Sequence, residues 1–189
     1  MKILSSYARN NYGDIFQKLI VDLQPKLIVE LGILYGYSTI YIAKAIKNFD
    51  TKFDAYDLFE KYKYKHGSRE EVQRLIDKEN LTDFVNIRYG DAFKVNKLYK
   101  DKSVDFLHVD ISNTGDVLKK IIDLWSSKLT NKGIIAFEGG SEERDNIYWM
   151  KKYHCSSIKK ELETNEVIKK YYSYTTLQKF PSLTILKKK

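Results

Sequence analysis

A regular alternation between short apolar runs and segments of helical spacing constrains the fold of this chain more than any other feature. The apolar runs cover residues 26–31, 52–57, 84–89, 104–109 and 133–137. Runs this short and this apolar are typical of strands that are buried on both faces. Because they alternate with helical segments, they predict an α/β fold in which helices cover both faces of a mostly parallel sheet.

The segments between the runs carry apolar residues at the three- and four-residue spacing of helices. They predict helices over 13–23, 38–46, 68–76, 117–125 and 141–150. Ser38 and Ser141 stand where a capping residue is expected at the start of a helix. Ser68 and Glu71 together match a capping box. Pro25 ends the first of these helices.

The C-terminal part of the chain is predicted to form a β-hairpin. Two long strands, 167–179 and 182–187, are joined at Phe180-Pro181. Strands joined by so tight a turn must be antiparallel to each other. The expected architecture is therefore a seven-stranded, mostly parallel sheet with an antiparallel C-terminal hairpin.

The chain of 189 residues has the size of one domain and contains no linker rich in glycine or serine. We expect a single domain with an N-terminal helical segment (1–25), a core (26–140), and a C-terminal helix and hairpin (141–189). Cys155 is the only cysteine, which excludes an internal disulfide and a cysteine zinc cluster. No apolar run is long enough for a signal peptide or a membrane span, so we expect a cytoplasmic protein without a membrane partner. The oligomeric state stays open.

The formal net charge is +8, and most of it lies at the C-terminal end. Residues 151–189 contain ten lysines and three glutamates, whereas residues 1–150 are close to neutral. A basic surface attracts nucleic acids and anionic ligands. These lysines are scattered in pairs and bring no recognition motif, so a nucleic-acid partner is not favoured.

A glycine-containing turn follows the first apolar run, in the sequence Val29-Glu30-Leu31-Gly32-Ile33-Leu34-Tyr35-Gly36-Tyr37-Ser38. Glycines let a backbone turn tightly and approach a ligand closely. The helix that follows offers free N–H groups to a carboxylate or phosphate. Two familiar nucleotide motifs do not match, because the dinucleotide fingerprint needs glycine where Glu30 and Tyr35 stand, and the P-loop needs lysine where Ser38 stands.

The turn resembles the first motif of the class I S-adenosylmethionine-dependent methyltransferases. That motif reads acidic-x-Gly-x-x-x-Gly, and Glu30, Gly32 and Gly36 match it. The extension with Tyr37 and Ser38 is similar to small-molecule O-methyltransferases, including the catechol O-methyltransferase type. The resemblance implies a Rossmann-like class I methyltransferase fold, with S-adenosylmethionine as methyl donor and S-adenosylhomocysteine as product.

Acids at the ends of the predicted strands strengthen this resemblance. Asp57 ends the second strand, where the family binds the ribose hydroxyls. Asp91 and Ala92 follow the third strand, where the family contacts the adenine amino group. Asp110 ends the fourth strand, and Leu58 is placed to pack on adenine. The donor-binding residues that the resemblance implies are Glu30, Gly32, Gly36, Tyr37, Ser38, Asp57, Leu58, Asp91, Ala92 and Asp110.

The resemblance also bears on whether a metal ion is bound and on which residue acts as the base. The metal-dependent branch of the family binds magnesium with an aspartate in the place of Asp110 and an Asp-Asn pair after the fifth strand. This sequence has Glu138-Gly139 there, and glycine has no side chain to coordinate a metal. Mg²⁺ is therefore not favoured, and no metal ligand is assigned. Without a metal, a hydroxyl acceptor needs a protein base, for which the candidates are Asp110, Glu138 and His66.

The function that follows from the resemblance is methyl transfer to a small polar acceptor, with oxygen as the favoured atom. The loop 139–146 indicates a polar acceptor, because it contains Ser141, Glu142, Glu143 and Arg144. Two alternatives stay open: methylation of RNA, and a methyltransferase-like binding module without turnover. The sequence names neither the acceptor nor the pathway.

Overall fold

The computed structural model describes residues 5–63 and 67–189, and these residues contain eight α-helices and seven strands. The helices are Tyr12–Leu23 (α1), Tyr37–Ala45 (α2), Arg69–Lys78 (α3), Gly115–Trp125 (α4), Glu142–Asp145 (α5), Tyr148–Lys152 (α6), Ile158–Thr164 (α7) and Glu166–Tyr171 (α8). The strands are Leu27–Leu31 (β1), Lys52–Asp57 (β2), Asn86–Tyr89 (β3), Val104–Val109 (β4), Leu129–Glu138 (β5), Tyr172–Leu177 (β6) and Leu183–Lys188 (β7). Within this described part of the chain, no helix has the length and apolar character needed to cross a bilayer.

The seven strands form one sheet in the order β3-β2-β1-β4-β5-β7-β6. β1 pairs with β2, β2 with β3, and β4 with β5, all in parallel. β7 runs antiparallel to both β5 and β6. The predicted fold class, a mostly parallel sheet with an antiparallel C-terminal hairpin, is confirmed. The chain divides into two compact units, Met1–Val95 and Asn96–Lys189.

The first unit contains β1 to β3 and α1 to α3. Ile28 of β1 and Phe53 of β2 are at most 1% exposed, as expected for strands covered on both faces. The register sets Leu31 opposite Tyr56, and Asp57 opposite Tyr89. The carboxyl ends of these three parallel strands therefore come to the same edge, where the predicted donor-binding residues lie.

The second unit contains β4 to β7 and α4 to α8. Trp125 and Phe106 are fully buried and belong to its core. The register pairs Val109 of β4 with Phe137 of β5. The next residues along the two strands, Asp110 and Glu138, therefore leave the sheet at the same edge.

The structure corrects the expected start of α2. The N-cap is Gly36, with a φ of 80°, and Tyr37 is the first helical residue. Ser38 lies inside the first turn, and its hydroxyl donates to the carboxylate of Glu30. Ser38 is therefore no N-cap, because a buried acid on the preceding strand takes its hydroxyl.

Other boundaries also differ from the expectation, and β5 begins at Leu129 rather than at residue 133. The predicted helix 141–150 is two short helices, α5 and α6, of which Ser141 caps the first. The third strand begins at Asn86, because Thr82–Phe84 forms a turn of 3-10 helix before it. The capping box of Ser68 and Glu71 is confirmed at the start of α3.

The predicted strand 167–179 is wrong in its first part. The chain forms α8 there, and β6 begins only at Tyr172. The helix α7, over Ile158–Thr164, precedes the predicted strand. The side chain of Ser157 accepts from the Lys160 N–H, and that of Asn165 accepts from two N–H groups of α8, so both helices are capped. The C-terminal part is thus four short helices followed by a hairpin, which is confirmed by the pairing of Leu177 with Leu183.

Candidate active site

The turn between β1 and α2 needs its glycines. Gly32 has a φ of 92° and Gly36 a φ of 80°, values that residues other than glycine rarely adopt. The Gly36 N–H donates to the Ile33 carbonyl over 2.8 Å, which closes the turn. A Cβ on Gly36 would lie 3.3 Å from Val72 of α3. Both glycines of the predicted motif are therefore used for backbone conformation.

The carboxylate of Glu30 binds other side chains of the protein. Its side chain is fully buried, and its Oε1 and Oε2 accept from the hydroxyls of Ser38 and Thr39, each over 2.6 Å. An acid near the N-terminus of a helix is also favoured by the helix dipole. Glu30 therefore ties β1 to the first turn of α2 and sets the position of the glycine turn.

Asp57 connects the end of β2 to the same turn. Its Oδ2 accepts from the N–H groups of Ile33 (2.7 Å) and Leu34 (3.1 Å). Its Oδ1 accepts from the N–H of Phe59 over 2.7 Å. A carboxylate offers about four lone-pair sites, so Asp57 keeps capacity for a ligand while it holds the turn.

Asp91 follows β3 at the same edge. The N–H of Gly90 donates to the Asp57 carbonyl over 2.9 Å, which joins the ends of β2 and β3. The Asp91 Oδ1 accepts from the Phe93 N–H over 2.9 Å, and its Oδ2 lies 3.3 Å from Lys94 Nζ. Ala92, between them, is half-buried.

Apolar side chains are exposed at the ends of β1, β2 and β3. Leu34, Leu58 and Tyr89 are 36%, 37% and 42% exposed. Leu58 is the residue that the family resemblance places against adenine, whereas no sequence pattern indicated a role for Tyr89. A flat, partly apolar ligand would cover such side chains.

Tyr37 packs toward α1. Its ring centre lies 4.8 Å from that of Tyr41, whose own ring lies against Gly13 of α1. Burial raises the pKa of Tyr37 to about 12, so its hydroxyl stays protonated at neutral pH. The side chain of this predicted donor-binding residue therefore helps to join two helices.

Glu138, the last residue of β5, forms a buried ion pair. Its Oε1 accepts from Arg144 Nε over 2.6 Å and its Oε2 from Nη2 over 2.9 Å, which is a bidentate pair. Burial raises the pKa of Glu138 to about 7, and the neighbouring charge of Asp110 adds to the rise, while Arg144 opposes it. Asp110 itself is half-buried.

Asn113 contacts both residues of the Glu138–Arg144 ion pair. Its Nδ2 donates to the carbonyls of Val109 (3.1 Å) and Glu138 (2.9 Å), so it joins the ends of β4 and β5. Its own carbonyl accepts from Arg144 Nη2 over 3.4 Å. No role is predicted for Asn113 from its sequence pattern, and only a general polar one for Arg144. The one available signal was a single arginine six residues beyond a strand-end acid.

The residues after β4 and β5 do not fit a magnesium site. Both oxygens of Glu138 are held by Arg144, and Gly139 has no side chain. Within residues 5–63 and 67–189, no group of three or more His, Cys, Asp or Glu side chains is arranged to hold a metal ion. His66, the third candidate base, lies outside the described residues.

Known proteins similar to this chain include methyltransferases. A catechol O-methyltransferase from Niastella koreensis is 36% identical over 85 residues, which is 45% of this chain and 35% of that relative. The match therefore spans about a third of the length of that curated relative.

Solved structures share the fold at low sequence identity. An O-methyltransferase from Bacillus cereus, in complex with S-adenosylhomocysteine, has a TM-score of 0.70 and 18% identity, over 100% of this chain and 84% of that one. The O-methyltransferase TomG from Streptomyces achromogenes, in complex with S-adenosylmethionine, has a TM-score of 0.73 and 13% identity, over 98% and 82% of the two chains.

A family-level comparison covers the core of the chain. The sequence model described as "Methyltransferase domain" matches residues 29–138, from β1 to the last residue of β5. This range contains the glycine turn, the strand-end acids and Glu138, and it is more than half of the chain. The chain therefore belongs to the methyltransferase domain family.

Proposed function

We propose that this protein is an S-adenosylmethionine-dependent methyltransferase that methylates a hydroxyl group of a small polar acceptor. The observation that carries the proposal is the pair of hydrogen bonds from the N–H groups of the glycine turn to the carboxylate of Asp57, in a chain of the methyltransferase family. A catechol O-methyltransferase among the relatives supports oxygen as the methylated atom. Structures of the same fold in complex with S-adenosylmethionine or S-adenosylhomocysteine support the donor.

The residues of the first unit fit such a donor. The N-cap of α2 is Gly36, which has no side chain to cap the helix, so the N–H groups of the first turn are suited to a ligand carboxylate. The remaining lone pairs of Asp57 suit the two ribose hydroxyls, and Asp91 suits an exocyclic amine. Leu58 and Tyr89 offer apolar surface to a purine ring. The bound donor supplies an electrophilic methyl group on a sulfonium.

Asp110 is the base that we assign to the acceptor hydroxyl. Glu138 is less suited, because Arg144 holds both of its carboxylate oxygens. Asp110 is half-buried, so a ligand can reach it. It accepts the hydroxyl proton on a carboxylate oxygen, and a proton acceptor in contact with the reacting group adds typically about 10²–10⁴-fold to a rate. The role of His66 stays a prediction.

Calorimetric titration with S-adenosylmethionine and S-adenosylhomocysteine tests the proposal. We expect both ligands to bind, and we expect Asp57→Ala to weaken binding by about ten- to a hundredfold, since it removes charge-assisted hydrogen bonds. Asp22→Ala is the matched control, because Asp22 is an exposed acid of α1 that pairs only with Lys18 among the contacts described. The proposal fails if neither ligand binds the wild type, or if Asp57→Ala and Asp22→Ala bind equally well.

A further inference from the structure

Arg144 is a buried cation, and one of its nitrogens has no partner in the part of the chain that the structure describes. Its side chain is 5% exposed, and Nε and Nη2 bind Glu138 and the Asn113 carbonyl. Its Nη1 is also buried, and it has no hydrogen-bond partner among the described residues. A buried donor without an acceptor destabilises a fold, so a protein that keeps one often offers it to a ligand.

The guanidinium is held in one orientation. The bidentate contact with Glu138 fixes its plane, and the Trp149 ring covers one face, with Cζ 5.0 Å from the ring centre. The backbone around Arg144 is held as well, because its N–H donates to the Ser141 hydroxyl over 3.1 Å. Arginine suits such a role, because its donors form a rigid fork and its charge does not titrate near neutral pH.

The place of Arg144 in the second unit is that of a ligand-binding group. Glu138 is the last residue of β5, and Asn113 joins it to the end of β4. In sheets of this class, ligands bind beyond the carboxyl ends of the parallel strands. Trp149, whose ring lies against the guanidinium, is only half-buried, so solvent lies within one side chain of Arg144.

We infer that Arg144 Nη1 binds the reacting oxygen of the acceptor and stabilises it as an oxyanion, an inference that rests on the proposed methyltransferase function. The acceptor O–H bond breaks, its proton goes to the carboxylate of Asp110, and the electron pair stays on the oxygen beside the guanidinium. Glu138 is the positioning residue that holds Arg144. A positive group at this place favours acceptors whose hydroxyl ionises readily, which points to phenols and enols.

The probe for this inference is 4-nitrophenol, because its phenolate absorbs visible light and its single hydroxyl is a poor metal chelator. It is titrated into protein saturated with S-adenosylhomocysteine, in the presence of EDTA. We expect the bound probe to ionise at a pH lower by about one unit than the free probe, since a guanidinium stabilises the phenolate. We expect Arg144→Gln and Arg144→Lys to abolish this shift and weaken probe binding by at least about tenfold.

Two variants keep the result interpretable. Arg144→Lys leaves a charge opposite Glu138, so it decides the question if Arg144→Gln does not fold. Lys152→Gln is the matched control, because Lys152 is an exposed cation of α6 that lies over Tyr148 and Tyr153, and this variant should behave as the wild type.

The inference is overturned if the shift persists in both Arg144 variants, or if it appears only when Mg²⁺ is added in excess over EDTA. It is also overturned if the wild type binds S-adenosylhomocysteine but not the probe. Failure of the wild type to bind S-adenosylhomocysteine is a separate outcome. It contradicts the proposed function itself and is measured by calorimetry before the probe is added.

Discussion

Glu138 experiences opposing influences from its surroundings. Removal from water and the nearby charge of Asp110 favour its neutral form, whereas the fork of Arg144 favours its carboxylate. Burial has the largest effect, and the pKa of Glu138 rises from 4.5 to about 7. The folded protein therefore binds this proton more tightly than the unfolded chain does.

The pH dependence of stability follows from the direction in which the pKa of Glu138 changes on folding. Because the pKa is higher in the folded state, the contribution of Glu138 is fully present below its ordinary pKa and is lost as the pH rises through about 7. We expect the free energy of unfolding of the wild type, relative to Glu138→Gln, to fall by roughly 1–3 kcal/mol between about pH 5 and about pH 8. Urea unfolding at several pH values measures this difference.

The control for this prediction is Glu142→Gln, because the Glu142 side chain is 78% exposed. Its stability should stay parallel to that of the wild type across the same pH range. Parallel curves for the wild type and Glu138→Gln would contradict the raised pKa.

Among the elements, α8 differs most from the expectation, and α7 before it was not predicted. The run of apolar and aromatic residues after residue 167 resembles a strand in isolation. The helices form because Ser157 and Asn165 satisfy N–H groups at their starts, and because Ile158, Leu162 and Ile168 are buried. Tertiary burial thus outweighs a local preference for strand.

Asn165 offers a direct test at this scale. Its Oδ1 accepts from the N–H groups of Val167 and Ile168, each over 3.0 Å. We expect Asn165→Ala to lower the free energy of unfolding by about 1 kcal/mol. We expect Asn165→Ser to retain most of the stability, because serine caps helices equally well and adds no charge beside Glu161, whose Oε1 accepts from Asn165 Nδ2 over 2.7 Å. Equal losses in the two variants, measured by urea unfolding, would show that the cap is not the cause.

For the whole molecule, the question is how the two compact units respond to a ligand. The sequence predicts one domain, and this stays a prediction. The residues that we propose for donor binding all belong to the unit Met1–Val95, whereas the proposed base, Asp110, belongs to the other unit. A ligand that binds there stabilises whatever unfolds together with that unit.

Scanning calorimetry with S-adenosylhomocysteine measures this coupling. If the chain is one cooperative domain, a ligand concentration of about 100 times Kd raises a single unfolding transition by about 5–10 °C. Asp57→Ala should show a much smaller rise at the same concentration. Two transitions, of which only one moves with the ligand, would contradict the single-domain prediction.

Local pattern was enough to predict much of the fold. The apolar runs placed five of the seven strands, because a strand buried on both faces must be short and apolar. The hairpin followed from the tight turn between its strands. The glycine turn was predicted as well, because the positive φ angles of Gly32 and Gly36 are strained for residues that carry a side chain, so the turn requires glycine at both positions.

The sequence by itself thus determined the alternation of strands and helices, the C-terminal hairpin and the glycine turn, since each depends on neighbouring residues. Only the tertiary structure decided the partners of the charged groups. Asp57 meets the N–H groups of Ile33 and Leu34 because β1 and β2 pair in one register, which no local pattern encodes. Arg144 meets Glu138 because the chain turns back after β5, and their strong pairing depends on a burial that exists only in the folded protein.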